Sequence, residues 1–252
     1  PAERTEATAD RLFALDEVSP GKNVGHSGED VASGTTVLTA GRVLRPQDLG
    51  ILSCLGQATV DVVRQPRVRI IITGNELLNA GSEPNEARIP DANGPMLAAL
   101  VKRDGGMPQF ENLKPETWDL KPALPYVVRD DRDSILSAMQ SDADIVLVSG
   151  GSSVGQEDHA PSLLAAHGEL SIHGIAMRPS SPTGMGRLEH RLMFLLPGNP
   201  VSCLCAYDFF AGRAIRLAGG RSPAWPYRQV RLPLARKLVS QVGRVDYARV
   251  RV

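Results

Sequence analysis

Three apolar runs, RVRIIIT (67–73), DIVLVS (144–149) and RLMFLL (191–196), constrain the fold most. Their apolar stretches are continuous, so each reads as a strand buried on both faces, as in a parallel sheet. Each leads through a polar, Gly-containing loop into a helix, expected at about 94–103, at about 161–167 and from the PGNP turn to about 218. Strand, loop and helix repeated in that order predict an α/β domain over 66–220, with a mostly parallel sheet covered on both faces. DRDSILSAM (131–139) adds a capped amphipathic helix, preceded by a Pro-rich stretch that reads as an inserted surface loop.

The flanks follow a different grammar. Residues 1–65 are short apolar stretches broken by turn residues and predict a partial β-rich domain with one helix near 46–56. Residues 221–252 return to short strands, in YRQVRLPLARKLV and VDYARVRV, and predict a partial C-terminal β-barrel domain. An opening without Met and a close inside an alternating strand lead to the expectation of a fragment. The chain has 28 Lys and Arg against 28 Asp and Glu, so no global basic field draws it to nucleic acid or acidic membranes, and any anion site must be local. No apolar run approaches the roughly 18 residues that span a bilayer, and the first ten residues are too polar for a signal peptide. The expected compartment is the cytoplasm. Cys54, Cys203 and Cys205 lack metal-ligand spacing and read as reduced thiols, the last two in the core.

In such a sheet the loops after the strands gather at one edge, where the ligand crevice lies. The middle loop, 149–158 (SGGSSVGQED), offers main-chain amides and hydroxyls as an oxyanion cradle, although it is neither a Walker loop nor a dinucleotide fingerprint. Carboxylates beside an anion repel it unless a cation intervenes, so Glu157 and Asp158 point to Mg²⁺ shared with ligand oxygens. A Gly-rich turn with an acidic first helical turn is the structural alternative. The third loop, 196–202 (LPGNPVS), places Asn199 and Ser202 at a helix start, where capping is the simpler reading. Glu76 follows the first strand, while Asp91 and Asn93 precede a helix and each reads as a cap. Asp130 and Asp131 are ambiguous, since Asp133 or Ser134 can cap the helix they precede.

The ordered set TGNEL (73–77), PDANG (90–94), RDD (129–131), SGGSSVGQED, RPSSP (178–182) and LPGNPVS resembles the MoeA family of molybdopterin molybdenumtransferases, which includes the gephyrin E domain. SPGKNVGHSGEDVASG, GILSCLG and the trailing LARKLVSQVGRVDYARVRV extend the resemblance over nearly the whole chain. It implies a three-layer α/β/α molybdopterin-binding domain flanked by partial β-rich domains, without the family's N-terminal linker domain. The implied reaction inserts molybdate into adenylated molybdopterin with Mg²⁺-dependent release of AMP. By the same resemblance Ser149, Gly150, Gly151, Ser152 and Gly155 hold ligand phosphates. Glu76, Asp131 and Asp158 are metal- or molybdate-site carboxylates, with Asp130 as the alternative. Pro197, Gly198, Asn199 and Ser202 form the pterin-side wall. A homodimer is implied, with molybdopterin adenylyltransferase and apo-molybdoenzymes as pathway partners.

The chain departs from the family pattern in three places. Asn75 replaces the acid of TGDEL, and His159 stands where Tyr is common. RPSSP replaces KPGKP, so Arg178 keeps one charge while Ser181 loses another, unless Arg187 or a partner-subunit residue supplies it. Glu76 and the QED cluster favour the enzyme. Asn75 and Ser181 favour a catalytically impaired molybdopterin or cofactor carrier, sensor or scaffold.

Overall fold

A computed structural model describes residues 4–17, 19–85, 87–110, 127–150 and 159–251. The chain divides into two compact units, Pro1–Ile51 and Leu52–Val252. The first holds an antiparallel hairpin of β1 (Thr5–Ala7) and β2 (Leu12–Ala14) and the start of helix α1 (Pro46–Cys54). Pro46 opens α1, where its missing N–H costs nothing, and the Asp48 side chain reaches back to accept from the Arg45 amide at 2.9 Å. The Arg45 and Arg42 guanidiniums flank the same buried carboxylate and hold it well below the usual carboxylate range.

The second unit is built on β3 (Arg67–Thr73), β4 (Leu77–Leu78), β5 (Ile89–Pro90), α2 (Asn93–Arg103), β6 (Met107–Gln109), β7 (Val127–Val128), α3 (Arg132–Met139) and β8 (Ile145–Ser149). It continues with α4 (His159–His167), β9 (Glu169–His173), β10 (Met177–Arg178), β11 (Gly184–Leu188), β12 (Arg191–Leu196), α5 (Pro200–Ala206), a π-helical turn (Tyr207–Ala211), α6 (Gly212–Ala218) and β13 (Val245–Asp246). Seven strands form one sheet in the order β6, β3, β8, β12, β11, β9, with β7 beside the C-terminal half of β3. The pairings from β6 to β12 are parallel, and β12, β11 and β9 pair antiparallel.

Period-two alternation sends the strand residues into two separate cores. Val68, Ile70, Ile72, Ile145, Leu147, Phe194 and Leu196 meet Leu97 and Val101 of α2 and Cys203, Ala206, Tyr207 and Ile215 from the α5–α6 run. Ile71, Val146, Val148, Met193 and Leu195 meet Ile135 and Met139 of α3 and Leu163 and Leu164 of α4. Both faces are thus covered, giving the three-layer α/β/α architecture, and each buried Leu or Ile contributes roughly 1.5–3 kcal/mol.

The antiparallel edge was not expected from the runs alone. Gly186 permits it, because a Cβ there would stand 2.0 Å from the Glu169 carbonyl oxygen, where β9 bulges against β11. The last helix also differs from a plain α-helix. Its π-helical turn carries the consecutive residues Tyr207 and Asp208 inward: Tyr207 donates to Asp104 at 3.0 Å, and Asp208 accepts from Arg103 and Tyr227, each at 2.8 Å. Asp104, itself buried, also accepts from Arg216 at 2.7 Å, so the buried charges are paired.

The strands expected over 227–239 do not form. Val230, Leu232, Leu234, Leu238 and Val239 are exposed, and a strand without a partner has nothing to satisfy its backbone. Among the described residues after 220, only β13 forms, parallel to β10. Likewise, β1 and β2 are the only strands among the described residues of the first unit. Most of the Pro-rich insertion, 111–126, lies outside the described residues.

Candidate active site

Register fixes where the three loops meet. Ile72 of β3 and Leu196 of β12 both pair with Ser149 at the end of β8, so the loops that follow leave the sheet side by side. Between them lies a pocket of about 100 Å³ lined by Thr73, Glu76, Asp91, Asn93, Ser149, Gly150, Gly198 and Pro200, with Leu77, Ile89, Pro90 and Ala92 closing one wall. Ser149, Gly150 and Gly198 bring short residues to it, as an oxyanion needs, while the carboxylates of Glu76 and Asp91 would repel one unless a cation lay between them.

The rim is held by close backbone contact. Gly150 has φ +98° and sits against Thr73, and Gly198 faces Gly150, with an added Cβ 3.9 Å from the Gly150 Cα. Asp91 is the capping acid the sequence suggested. Its carboxylate accepts from the Asn93 amide at 2.8 Å and the Gly94 amide at 3.0 Å, while burial raises its pKa against the pull of those two donors. Asn93 is not a cap: its Nδ2 donates to Ser149 Oγ at 2.9 Å and to the Gly198 carbonyl at 2.7 Å. Asn199 caps α5, accepting from the Val201 and Ser202 amides at 3.1 and 3.3 Å. Pro197 is buried and Ser202 half-buried on the first turn of the same helix.

The carboxylates divide in a way the sequence left open. Asp131, rather than Asp133 or Ser134, is the N-cap of α3, and its two oxygens accept from the Ser134 amide and hydroxyl, each at 2.9 Å. Those bonds hold its pKa down. Asp130 instead accepts from the Thr73 hydroxyl at 2.9 Å, which ties it to the pocket wall. Glu76 is exposed on the first loop, as is Asn75. Gly151, Ser152, Gly155, Glu157 and Asp158 lie outside the described residues, and His159 begins α4. Among the described residues no three His, Cys, Asp or Glu side chains converge to hold a metal ion.

A larger cavity of about 830 Å³ lies on the outer side of the third loop, lined by Arg178, Pro179, Asn199, Val201, Val239, Arg244, Asp246, Tyr247, Ala248 and Arg249. The β10–β13 pairing builds it, setting Arg178 opposite Asp246, with the Tyr247 amide donating to the Arg178 carbonyl at 2.8 Å. An adjoining cavity is lined by Arg178, Ser181 and Arg244. Arg178 and Arg244 thus share a cavity with Ser181, whereas Arg187 does not line it and its guanidinium on β11 donates to the Glu189 carbonyl at 3.4 Å. Arg244 is partly held by Asp246 at 3.0 Å, whereas Arg178 and Arg249 are exposed. Ser180, buried at φ +94°, anchors this loop by donating to the Ser202 carbonyl at 2.6 Å.

Arg244, Arg249 and Asn93 were missed as site residues. Arg249 lies in VDYARVRV, which reads as strand, Arg244 lies just before it, and no local spacing signals that β13 pairs with β10. Asn93 was weighed only as a cap, because a side chain's reach to two distant loops has no sequence signature. Cys203 lies beneath the site, 3.8 Å from Ser149 Oγ, and burial pushes its thiol up to about 12, so it stays protonated.

Comparisons with known proteins agree with this fold. A family model described as "Probable molybdopterin binding domain" matches residues 69–216, and one for the "MoeA N-terminal region (domain I and II)" matches residues 1–56. Molybdopterin molybdenumtransferase 2 of Mycobacterium tuberculosis is 33% identical over 260 residues, covering 99% of this chain and 60% of that protein. Molybdopterin molybdenumtransferase of Staphylococcus aureus is 30% identical over 228 residues, covering 89% of this chain and 51% of its own length. The chain thus spans between half and two thirds of these relatives. The crystal structure of the molybdopterin biosynthesis MoeA protein of Pyrococcus horikoshii superposes with a TM-score of 0.68 at 30% identity, over 87% of this chain and 52% of that one. No described helix is long and apolar enough to cross a membrane. With the binding-domain model matching more than half of its length and the N-terminal model preceding it in order, the chain belongs to the MoeA family.

Proposed function

We propose that the protein of which this chain is part inserts molybdate into adenylated molybdopterin, with Mg²⁺-dependent release of AMP, during molybdenum cofactor synthesis. The observation that carries this reading is the adjacency of two sites on one loop. Residues of the 196–202 turn line both a small pocket, where Thr73, Ser149 and Gly150 stand with the carboxylates of Glu76 and Asp91, and a larger cavity that gathers Arg178, Arg244 and Arg249. The first is the size of a phosphate group, and the second is large enough for the body of a pterin with a tetrahedral dianion such as molybdate beside the arginines.

In this reading Ser149 and Gly150, with Gly151, Ser152 and Gly155, receive ligand phosphate, and Pro197, Gly198, Asn199 and Ser202 wall the pterin side. The arginines offset the charge of the incoming oxyanion, and Ser181 adds a neutral hydroxyl. The ligand's own dithiolene sulfurs bond to molybdenum, so the protein needs no covalent nucleophile, in keeping with the protonated Cys203. Mg²⁺ commonly takes one or two protein carboxylates and completes its shell with phosphate oxygens and water. Glu76 and Asp91 line the pocket, and so few described carboxylates suit such a shared ion better than an all-protein cage. Glu76 and Asp158 would hold it, supplying charge compensation for the departing phosphate. Asp130, tied to Thr73, is better placed than Asp131, whose oxygens are occupied by capping.

A homodimer in the cytoplasm, fed by an adenylyltransferase and delivering to apo-molybdoenzymes, belongs to the same proposal. So does a division into 1–65, 66–220 and 221–252. The neutral Asn75 and Ser181 support a second reading, a carrier of molybdopterin or finished cofactor. The two separate on AMP release by the full-length protein, which a carrier lacks, and Asp158→Asn tests the role given to that carboxylate. For the enzyme, Mg²⁺-dependent turnover falls by roughly two orders of magnitude while pterin binding holds. Turnover equal to wild type would remove Asp158 from the site.

A further inference from the structure

Asn93 joins two of the three loops that make the pocket. It begins α2, yet the helix's first amides are served by Asp91, which leaves the Asn93 side chain free to reach across the sheet edge. Its Nδ2 spans from the Ser149 hydroxyl at 2.9 Å to the Gly198 carbonyl at 2.7 Å. A carbonyl can only accept, so the amide nitrogen must face Gly198, and the orientation of the group follows. Both amide protons are then committed to the loops after β8 and β12. Oδ1 is left buried, with no hydrogen-bond partner among the described residues. A buried acceptor without a partner is costly, and a residue serving stability alone would not carry one.

We propose that Asn93 is a positioning residue, a brace that sets the spacing between Ser149 and Gly198 and so the width of the pocket the ligand enters. The ligand's identity rests on the function proposed above, whereas the brace does not. The spacing has little slack. Gly150 is pressed against Thr73, and between Gly198 and Gly150 there is room for about one methyl group, since a β-carbon on Gly198 would stand 3.9 Å from the Gly150 Cα, so a loop released from the brace has little space inward and open solvent outward. Outward movement takes hydrogen-bond donors out of reach of an oxyanion, and a misplacement of about 1 Å can cost roughly 100-fold. The freed Gly198 carbonyl belongs to an exposed residue and can bond water, while Ser149 retains its contact with Cys203. Loss of the brace therefore loosens the loops without unfolding the domain.

Two variants of the full-length protein test this. Asn93→Ala removes the side chain, and Asn93→Asp keeps its shape but presents oxygen where the donors stood. Amide hydrogen exchange over 147–150 and 196–203 should quicken several-fold in both, with α3 and α4 unchanged and the thermal midpoint within a few degrees of wild type. The dissociation constant for adenylated molybdopterin should rise at least about tenfold in both. Unchanged exchange in the two loops overturns the brace whatever the protein binds. A normal Asn93→Asp also overturns it, because shape alone would then suffice. A large fall in midpoint with faster exchange throughout the sheet would make Asn93 a structural residue and equally overturn it. If wild type fails to bind adenylated molybdopterin while the variants still loosen both loops, the brace stands and the function proposed above falls.

Discussion

Gly150 lies so close to Thr73 that a β-carbon on the glycine would stand 1.9 Å from the Thr73 carbonyl oxygen. The contact locks the loop after β8 onto the end of β3, and φ +98° adds a conformation that L side chains resist. Gly150→Ala should destabilise the protein by at least about 2 kcal/mol and abolish ligand binding together with it. Urea denaturation checks the first part, and a variant within 0.5 kcal/mol of wild type, roughly the scatter of neutral surface changes, would contradict the packing described here.

Ser180 presents the opposite balance. It holds φ +94°, which favours glycine, but its hydroxyl reaches the Ser202 carbonyl at 2.6 Å. Ser180→Ala keeps the backbone strain and loses the bond, while Ser180→Gly loses the bond and relieves the strain. The glycine variant should therefore be more stable than the alanine variant by about 1 kcal/mol or more. Equal stabilities, or the reverse order, in denaturant titrations would show that φ at this position carries no cost.

Asp144 sets an acid limit on the fold. Arg64 donates to it from two nitrogens at 2.8 and 2.9 Å, and the Arg67 amide adds a third bond at 2.6 Å. These hold its pKa at about 2, below the ordinary value of 3.8. A carboxylate depressed in the folded state binds fewer protons there than in the unfolded chain. Its contribution is therefore complete above pH 3.8 and is lost as pH falls through about 2. Asp144→Asn should lower stability at pH 7 and flatten its decline between about pH 4 and 2, as followed by circular dichroism. A variant with wild-type acid sensitivity would place the titrating group elsewhere.

Arg244 stands beside Ser181, where the family pattern has lysine. If it supplies the absent charge, Arg244→Ala should raise the KM for molybdate at least about tenfold, the loss of one charge-assisted hydrogen bond. Ser181→Lys should then restore molybdate use in that background and do little in the wild type. An unchanged KM in Arg244→Ala would show that Arg178 and Arg249 suffice.

The central sheet was legible because its strands announce themselves. A continuous apolar run such as RVRIIIT can be satisfied only by burial on both faces, and β3 and β12 begin and end where their runs do. ELSIH and GMGRL were not legible as strands. They carry little apolar continuity, and become strands only because β12 offers β11 an edge and β11 offers one to β9. The reverse holds for 227–239, whose β-like composition finds no partner among the described residues. At the site, the cradle glycine Gly150 and the caps Asp91 and Asn199 follow from local chemistry. Asn93 and Arg244 act across 105 residues and through a strand pairing respectively, distances over which no motif reports.

Incubating the full-length protein with adenylated molybdopterin and Mg²⁺, with and without molybdate, and following AMP release and cofactor formation together distinguishes a transferase from a carrier. A molybdenumtransferase gives both only when molybdate is present. Tight pterin binding without AMP release in either condition would contradict the proposed activity and make the protein a cofactor carrier.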